Sequence, residues 1–585
     1  MRAFLLDGYV DEPACFGVPP YISPYVRYCA GTFLRHGWEV DYATCDAWRA
    51  EPGRYGAALA EADVAVVIMG MTVPGRYRGG APLTLRELRA AAAAPRRGRL
   101  VLAGPVLRGY ALRGGIRAKS PIDDLDGAVD HFAFGDPEAS LDRYLRTGEW
   151  HGEARRDYAF LDAVAAAGAD IVRRHPAYPH VVAEMELSRG CDRTDGRCSF
   201  CTEGGNPVYE ERDAQGILRE AAALDAAGVA AYRFGRCANL LAWGGAPAQD
   251  PALGIRPNPA RIEALYAGFR AAAPHLRVLH ADNCNPLTIV RHPDAAQACM
   301  EAVVRHNTEG DGLSLGLESL DPEVKRRNGL KVTVEEALFV VRRINEVGAG
   351  RRTPRALPSL LPGLNFVCGL AGERKESPGW NRRFLETLLE EGLIVRRINI
   401  RRAVVFADTP LGREASPSSL KERDYRRWKE WVRGEVDPIM IARVAPEGTL
   451  LRGVVAEERA GNVVFGRQLG SYPPLVGIVS PALRPGEAVD VMVTDHGGRS
   501  LTGVVAPLDA NACDRSELAA LPGIGKARAA RIVAGRPYAS PEDLRGTLSA
   551  MDAPDLAARL LPYFQAAPDR EKNGGGACQT PPEPQ

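Results

Sequence analysis

Lysine is scarce in this chain: of 74 basic residues only 8 are lysines. That bias follows from a GC-rich genome and points to no particular function. The net charge of +1 excludes an overall attraction to nucleic acid, so any such partner must be argued from local patches. No apolar run is long enough to span a bilayer. The opening Met-Arg-Ala-Phe-Leu-Leu-Asp7 meets charge too early for a secretory signal. The 12 cysteines are scattered over 585 residues, which excludes a dense disulfide framework and suits a reducing cytoplasm without a membrane partner. At this length several domains are expected, since single cores rarely exceed about 250 residues.

Also missing is a fourth cysteine near Ser188-Arg-Gly-Cys191-Asp-Arg-Thr-Asp-Gly-Arg-Cys198-Ser-Phe-Cys201. Three soft thiolates select iron-sulfur or zinc, and closed structural sites of either kind use four protein ligands. An open corner leaves room for chemistry. The preceding Glu184-Met-Glu-Leu187 alternates like a strand, so the cysteines lie on a loop at a strand's carboxyl end, where α/β folds place active sites. The same cysteines could equally serve a zinc site completed by Cys237, Cys284 or a histidine.

The cysteine loop resembles that of the radical S-adenosylmethionine superfamily, with six residues in the first gap where the commonest pattern has three. The resemblance implies that Cys191, Cys198 and Cys201 bind a 4Fe-4S cluster whose open iron takes the amine and carboxylate of S-adenosylmethionine. It further implies an electron donor such as ferredoxin or flavodoxin.

The remaining chain reads as α/β with appended modules. Residues 1–150 predict a doubly wound, Rossmann-like domain with strands at Ala3 to Leu6, Glu39 to Thr44, Val64 to Met69 and Leu100 to Ala103. A helix capped by Ser23, with Pro24 at its first position, ends near His36-Gly37. This domain resembles the cobalamin-binding module of many radical S-adenosylmethionine proteins. It lacks the Asp-x-His-x-x-Gly signature, so the fold is expected without cobalamin and Asp130-His131 as an ordinary strand-end pair.

Residues 179–416 alternate strand and helix six times, which predicts a parallel sheet curled into a partial (β/α)6 barrel. Polar residues recur at period two: Glu184, Glu186 and Ser188; Arg236; His280 and Asp282; Ser314, Gly316 and Glu318; Asn365 and Gly369; Asn399 and Arg401. Such alternation lines a hollow with polar groups. Leu315-Gly-Leu-Glu318-Ser319 resembles the superfamily's ribose-binding fourth strand, and Asn365 to Glu373 its adenine-binding fifth-strand glycine motif. Glu318, Asn365, Gly369, Asn399 and Arg401 are therefore the cofactor-binding candidates. Where many members carry Gly-Gly-Glu, this chain has Phe234-Gly-Arg-Cys-Ala-Asn239, so the grip on the methionine amine is not assigned.

A linker helix is expected over 417–440, and five strands over 441–507 predict a small barrel. That barrel resembles the TRAM/OB-like RNA-binding module of tRNA methylthiotransferases, and a packing module would look the same. Residues 508–567 resemble a helix-hairpin-helix. In that reading Gly523 and Gly525 shape a phosphate-binding turn, and Lys526, Arg528 and Arg531 add charge. Such a turn reads backbone rather than bases, and a hairpin that only docks protein is the alternative. The tail 568–585 lacks apolar residues and is expected to be disordered. The whole arrangement resembles a largely archaeal group of radical S-adenosylmethionine proteins with a carboxyl-terminal helix-hairpin-helix. The resemblance implies an enzyme that cleaves S-adenosylmethionine to a 5'-deoxyadenosyl radical but not its substrate; the phosphate-binding turn on a near-neutral chain points to a nucleic acid, RNA before DNA, with the carboxyl-terminal modules supplying most of the affinity. The alternatives are radical chemistry on a small molecule or protein, and a non-enzymatic iron-sulfur adaptor.

Overall fold

A computed structural model describes residues 1–564 apart from 13–14, 72–79, 123–124, 126, 194–195, 206–207, 415–417 and 552–554. The tail 568–585 lies outside the described residues. The chain packs as two units: Met1–Pro446 with Arg467–Leu475 and Gly498–Ser500, and Glu447–Gly466 with Val476–Gly497 and Leu501–Gln585. Three segments inside the expected 441–507 module, 441–446, Arg467–Leu475 and Gly498–Ser500, thus belong to the first unit.

Five parallel strands open the first unit, ordered Glu39–Thr44, Arg2–Asp7, Val64–Ile68, Arg99–Ala103, His131–Ala133. Ala3 and Leu5 enter one core while Phe4 and Leu6 enter another. Burial on both faces is what a doubly wound sheet requires, and this strand order is a common one for that fold. The helix Pro24–Arg35 begins where Pro24 suits its first turn, but the Ser23 side chain makes no capping bond and its hydroxyl lies buried without a partner among the described residues. Asp130 is held by Arg96 and Arg99, and His131 stacks on Trp150 at 4.7 Å.

Two four-stranded parallel sheets follow. One runs Val278–His280, Ala231–Arg236, Val182–Glu186, Tyr21–Ile22; the other runs Asn283–Cys284, Asp311–Glu318, Leu360–Cys368, Arg397–Arg402. The third barrel strand breaks at Ala281-Asp282 and so belongs to both sheets. Tyr21–Ile22 adds an edge strand contributed by the amino-terminal region. Leu315, Leu317, Leu364, Phe366, Ile398 and Ile400 are buried in the main core, while the intervening Glu318, Asn365, Gly369 and Asn399 stay partly open. The burial of these residues alternates along the strands as the sequence pattern predicts. The helix Glu422–Trp431 runs through a π-helical turn, Val432–Val436, into Asp437–Val444.

In the second unit a closed barrel is ordered Leu450–Ala460, Val463–Gln468, Leu475–Val479, Ser500–Val505, Ala488–His496. Its Met492 and Val504 share one core with Leu518, Ile532, Leu544 and Leu560 of the helices that follow.

Candidate active site at the barrel rim

Residues Val182–Glu186 and Ser188–Arg189 deliver the chain to the cysteine loop. The loop is fastened by Asn328, at the end of helix Pro322–Asn328. The Asn328 Oδ1 accepts from Ser199 Oγ at 2.6 Å and from the Ala371 amide at 3.2 Å, and its Nδ2 donates to the Ala371 carbonyl at 2.8 Å. Cys198 and Phe200 pack beside Leu370, Ala371 and Val367. One asparagine therefore holds the cysteine loop against the end of the fifth strand, a staple that the sequence pattern did not single out.

All three cysteines are free and partly buried. Burial pushes Cys191 up to about 11, with the neighbouring Asp192 adding to it, and Cys201 up to about 12, with Cys198 adding. Cys198 is also raised by burial, against the pull of Arg193, whose Nη1 lies 3.2 Å from its Sγ. Three thiols raised by burial in this way ionise together only when a cation compensates them, and they fit an iron cluster in that respect. Among the described residues no three His, Cys, Asp or Glu side chains converge as a single ion would require. Cys237 accepts from Ser188 Oγ at 3.4 Å, and Cys284 approaches the Asn285 carbonyl at 3.7 Å. Asn239 anchors the loop's start, donating to Asp192 Oδ2 at 2.8 Å and to Thr288 Oγ1 at 2.9 Å.

Glu318 faces this loop. A shift in strand pairing between Gly316 and Glu318 and a backbone φ of 59° turn it at the strand end, a strained conformation for a residue with a Cβ. Its Oε2 has no hydrogen-bond partner among the described residues. Burial pushes its carboxyl up to about 8, with Arg401 pulling the other way. A strained acid with one buried oxygen unpartnered among the described residues, at a strand's carboxyl end, makes Glu318 a candidate ligand contact. Asn399 Nδ2 donates to Asn365 Oδ1 at 3.3 Å, and the two face each other across paired strands. A Cβ at Gly369 would meet nothing nearer than Ala403 at 3.8 Å, so the space above it is open. All five cofactor-binding candidates thus line one wall of the hollow, the fourth to sixth strands, at the end where the cysteines sit.

Below the rim lies a second polar layer. Arg233 Nη1 binds Glu184 Oε1 at 2.6 Å, and Arg233 Nη2 pairs with Asp282. Arg236 Nε meets Glu186 Oε2 at 2.9 Å. Strict alternation from Arg236 would place Arg233 outside, but a pairing shift between the two turns both inward. Phe234 and Tyr232 pack outward against Phe269. Burial alone would raise Glu186, but Arg156 and Arg236 hold it down to about 2, whereas burial outweighs Arg233 at Glu184 and pushes it up to about 7.

The floor is closed by Gly470-Ser471-Tyr472. Ser471 donates its amide to His280 Nδ1 at 2.8 Å and its hydroxyl to the Ala281 carbonyl at 2.9 Å. The Tyr472 ring lies under the Arg397 guanidinium at 4.9 Å. With φ at 113°, Gly470 sits so close to the imidazole that a Cβ would fall 2.5 Å from His280 Nδ1. His280 is held neutral by burial, its pKa pushed down to about 3.

In the second unit, helices Arg515–Ala519 and Gly525–Ala534 are joined by a turn in which Gly523 and Gly525 have φ of 80° and 61°. Lys526 and Arg531 are exposed, but Arg528 Nη1 donates to the Gly523 carbonyl and Arg531 Nη2 to the Ala550 carbonyl at 3.2 Å. Arg528 therefore also braces the turn, while Arg531 ties its helix to the end of helix Pro541–Ser549.

An uncharacterized protein of Archaeoglobus fulgidus is 38% identical over 526 residues, covering 89% of this chain and 93% of the relative. One of Methanocaldococcus jannaschii is 39% identical over 516 residues, covering 86% and 93%. The chain belongs to the family these two proteins represent. No family model matches it. Among solved structures, the radical S-adenosylmethionine methyltransferase TsrM of Kitasatospora setae gives a TM-score of 0.47 at 15% identity, covering 79% of each chain. The cobalamin-dependent S-adenosylmethionine radical enzyme OxsB gives 0.44 at 12%, covering 66% of this chain and 51% of that one. Likenesses of this size fall below the level from which a shared fold or activity follows.

Proposed function

We propose that the protein is a radical S-adenosylmethionine enzyme that modifies a nucleic acid, RNA before DNA. The observation that carries this reading is the meeting of the three-cysteine loop with the unpartnered Glu318 at the carboxyl ends of a parallel, polar-lined barrel. Cys191, Cys198 and Cys201 would hold the 4Fe-4S cluster, which when bound supplies the electron that cleaves S-adenosylmethionine to a 5'-deoxyadenosyl radical. Glu318 and Arg401 would take the ribose, Asn365 and Asn399 the base edge, and Gly369 leaves room for the adenine ring. Asn239 and Asn328 keep the cysteine loop in place. Tyr472 and Ser471 close the floor, so that water is kept from the hollow from below. The exposed Lys526 and Arg531 beside the Gly523 turn support a backbone-reading contact with nucleic acid.

The test is anaerobic reconstitution followed by dithionite reduction with S-adenosylmethionine and fractionated cellular RNA, DNA or protein. Formation of 5'-deoxyadenosine stimulated by an RNA fraction is expected. Tightly bound zinc without iron-sulfur absorption would overturn the cluster, and stimulation by protein alone would overturn the substrate class.

A further inference from the structure

Arg426, Lys429 and Arg433 recur at spacings of three and four along the helix beside the sixth barrel strand, and with Glu430 and Gly434 they line an open groove of about 480 Å³. Spacings of three and four put side chains on one helix face. The charges around the groove do not balance. Glu422 is shared by Arg402 and by Arg426, the latter at 2.9 Å. Asp437 Oδ2 is shared by Arg433 at 2.6 Å and Arg499 at 3.0 Å. Lys429 lies between these pairs, its ammonium 5.7 Å from the Tyr425 ring. Five cations (Arg402, Arg426, Lys429, Arg433, Arg499) thus meet three acids (Glu422, Glu430, Asp437), leaving two positive charges over. Burial, and then repulsion from Arg433, holds both Lys429 and Arg499 below their ordinary ranges.

A second observation singles out the same place. Arg433 and Gly434 lie in the π-helical turn Val432–Val436. Such turns break the regular ladder and recur at functional sites. The Arg433 Nη1 also donates to the Ile398 carbonyl at 3.0 Å, tying the groove to the strand that carries Asn399 and Arg401.

We infer that this groove binds consecutive phosphates of a nucleic-acid backbone and leads the substrate strand toward the barrel. The seven steps from Arg426 to Arg433 rise roughly 10 Å, about three phosphate spacings along the axis for one strand of a duplex. The inference rests on the nucleic-acid part of the proposed function but not on its radical chemistry.

It is tested by fluorescence anisotropy of the full chain with a single-stranded RNA and a duplex DNA of equal length, over roughly 50 to 200 mM salt. The double reversal R426E/K429E should weaken binding of at least one probe about tenfold and make the log-log salt slope shallower by about 1 to 2. Should the reversal fold poorly by circular dichroism, R426Q/K429Q should give the same direction with a smaller loss. Affinity within twofold of wild type in a folded variant overturns the groove, and so does a wild type that binds neither probe at the lowest salt. That second result also removes the nucleic-acid substrate, while 5'-deoxyadenosine formation decides the radical reading separately.

Discussion

The Tyr472 hydroxyl donates to Asp282 Oδ1 at 3.0 Å and accepts from Ser314 Oγ at 3.1 Å, joining residues 190 and 158 positions apart. Tyr472→Phe removes this donor from a buried carboxylate and should cost about 1 to 3 kcal/mol. Gly470→Ala should cost at least as much, because the added Cβ meets the His280 ring and the backbone favours glycine. Urea unfolding of both variants checks these values, and a midpoint unchanged in either contradicts the floor as described.

Replacing Cys191, Cys198 or Cys201 by Ala should remove most iron from anaerobically reconstituted protein, while Cys29→Ala, in the amino-terminal core, should leave it near the wild-type content. Asn328→Ala should retain the three thiols yet lose iron faster to a chelator, since Ser199 and Ala371 lose their common partner. Iron analysis and the visible iron-sulfur spectrum read both effects.

Glu318→Gln should weaken S-adenosylmethionine binding, measured by calorimetry, and leave iron content intact. In the same variant the protein should be more stable above pH 8. The native carboxyl holds its proton up to about 8 against an ordinary 4.5. Between those values the folded state binds more protons than the unfolded one, so wild-type stability falls as pH rises. Glutamine removes that slope, and equal slopes in both proteins would contradict the placement.

His280 works in the opposite sense. Burial lowers its pKa from 6.5 to about 3, so below about 6.5 the unfolded state takes a proton that the folded state refuses. Stability contributed by the neutral ring is present above 6.5 and is lost as pH falls toward 3. Melting curves between pH 7 and 4 should fall less steeply for His280→Gln than for wild type.

For the turn at Gly523, the double reversal Lys526→Glu with Arg531→Glu should weaken nucleic-acid binding and reduce a salt slope expected near −2 to −3 for about three neutralised phosphates. Reversal is a better probe than truncation after Pro507, because Met492 and Val504 of the small barrel share their core with the helices that follow. Filter binding at several salt concentrations gives the slope.

Much of the rim was legible in the sequence because strands alternate. Glu318, Asn365, Gly369 and Asn399 all carry their polarity at period two, and the cysteines announce themselves by spacing. What alternation misses are the breaks in it. The pairing shift that brings Arg233 inward beside Arg236 leaves no periodic trace. Asn328 reads as an ordinary helix end, and nothing in Gly470-Ser471-Tyr472 signals that a connection between two strands of a small barrel is buried among His280, Asp282 and Ser314. Ser23 shows the converse: a residue type suited to capping sits in the right place but makes no cap.

The burial of Gly470-Ser471-Tyr472 changes how the gene can be cut. Arg467–Leu475 belongs to the first unit while its neighbours on both sides belong to the second. A fragment ending at Pro446 would leave Arg233, Glu184 and Asp282 facing solvent where Tyr472 had been. A fragment starting at Glu447 would carry a loop shaped for a pocket it no longer has. Deletion libraries and split-protein complementation should therefore find no productive breakpoint between Pro446 and Leu475.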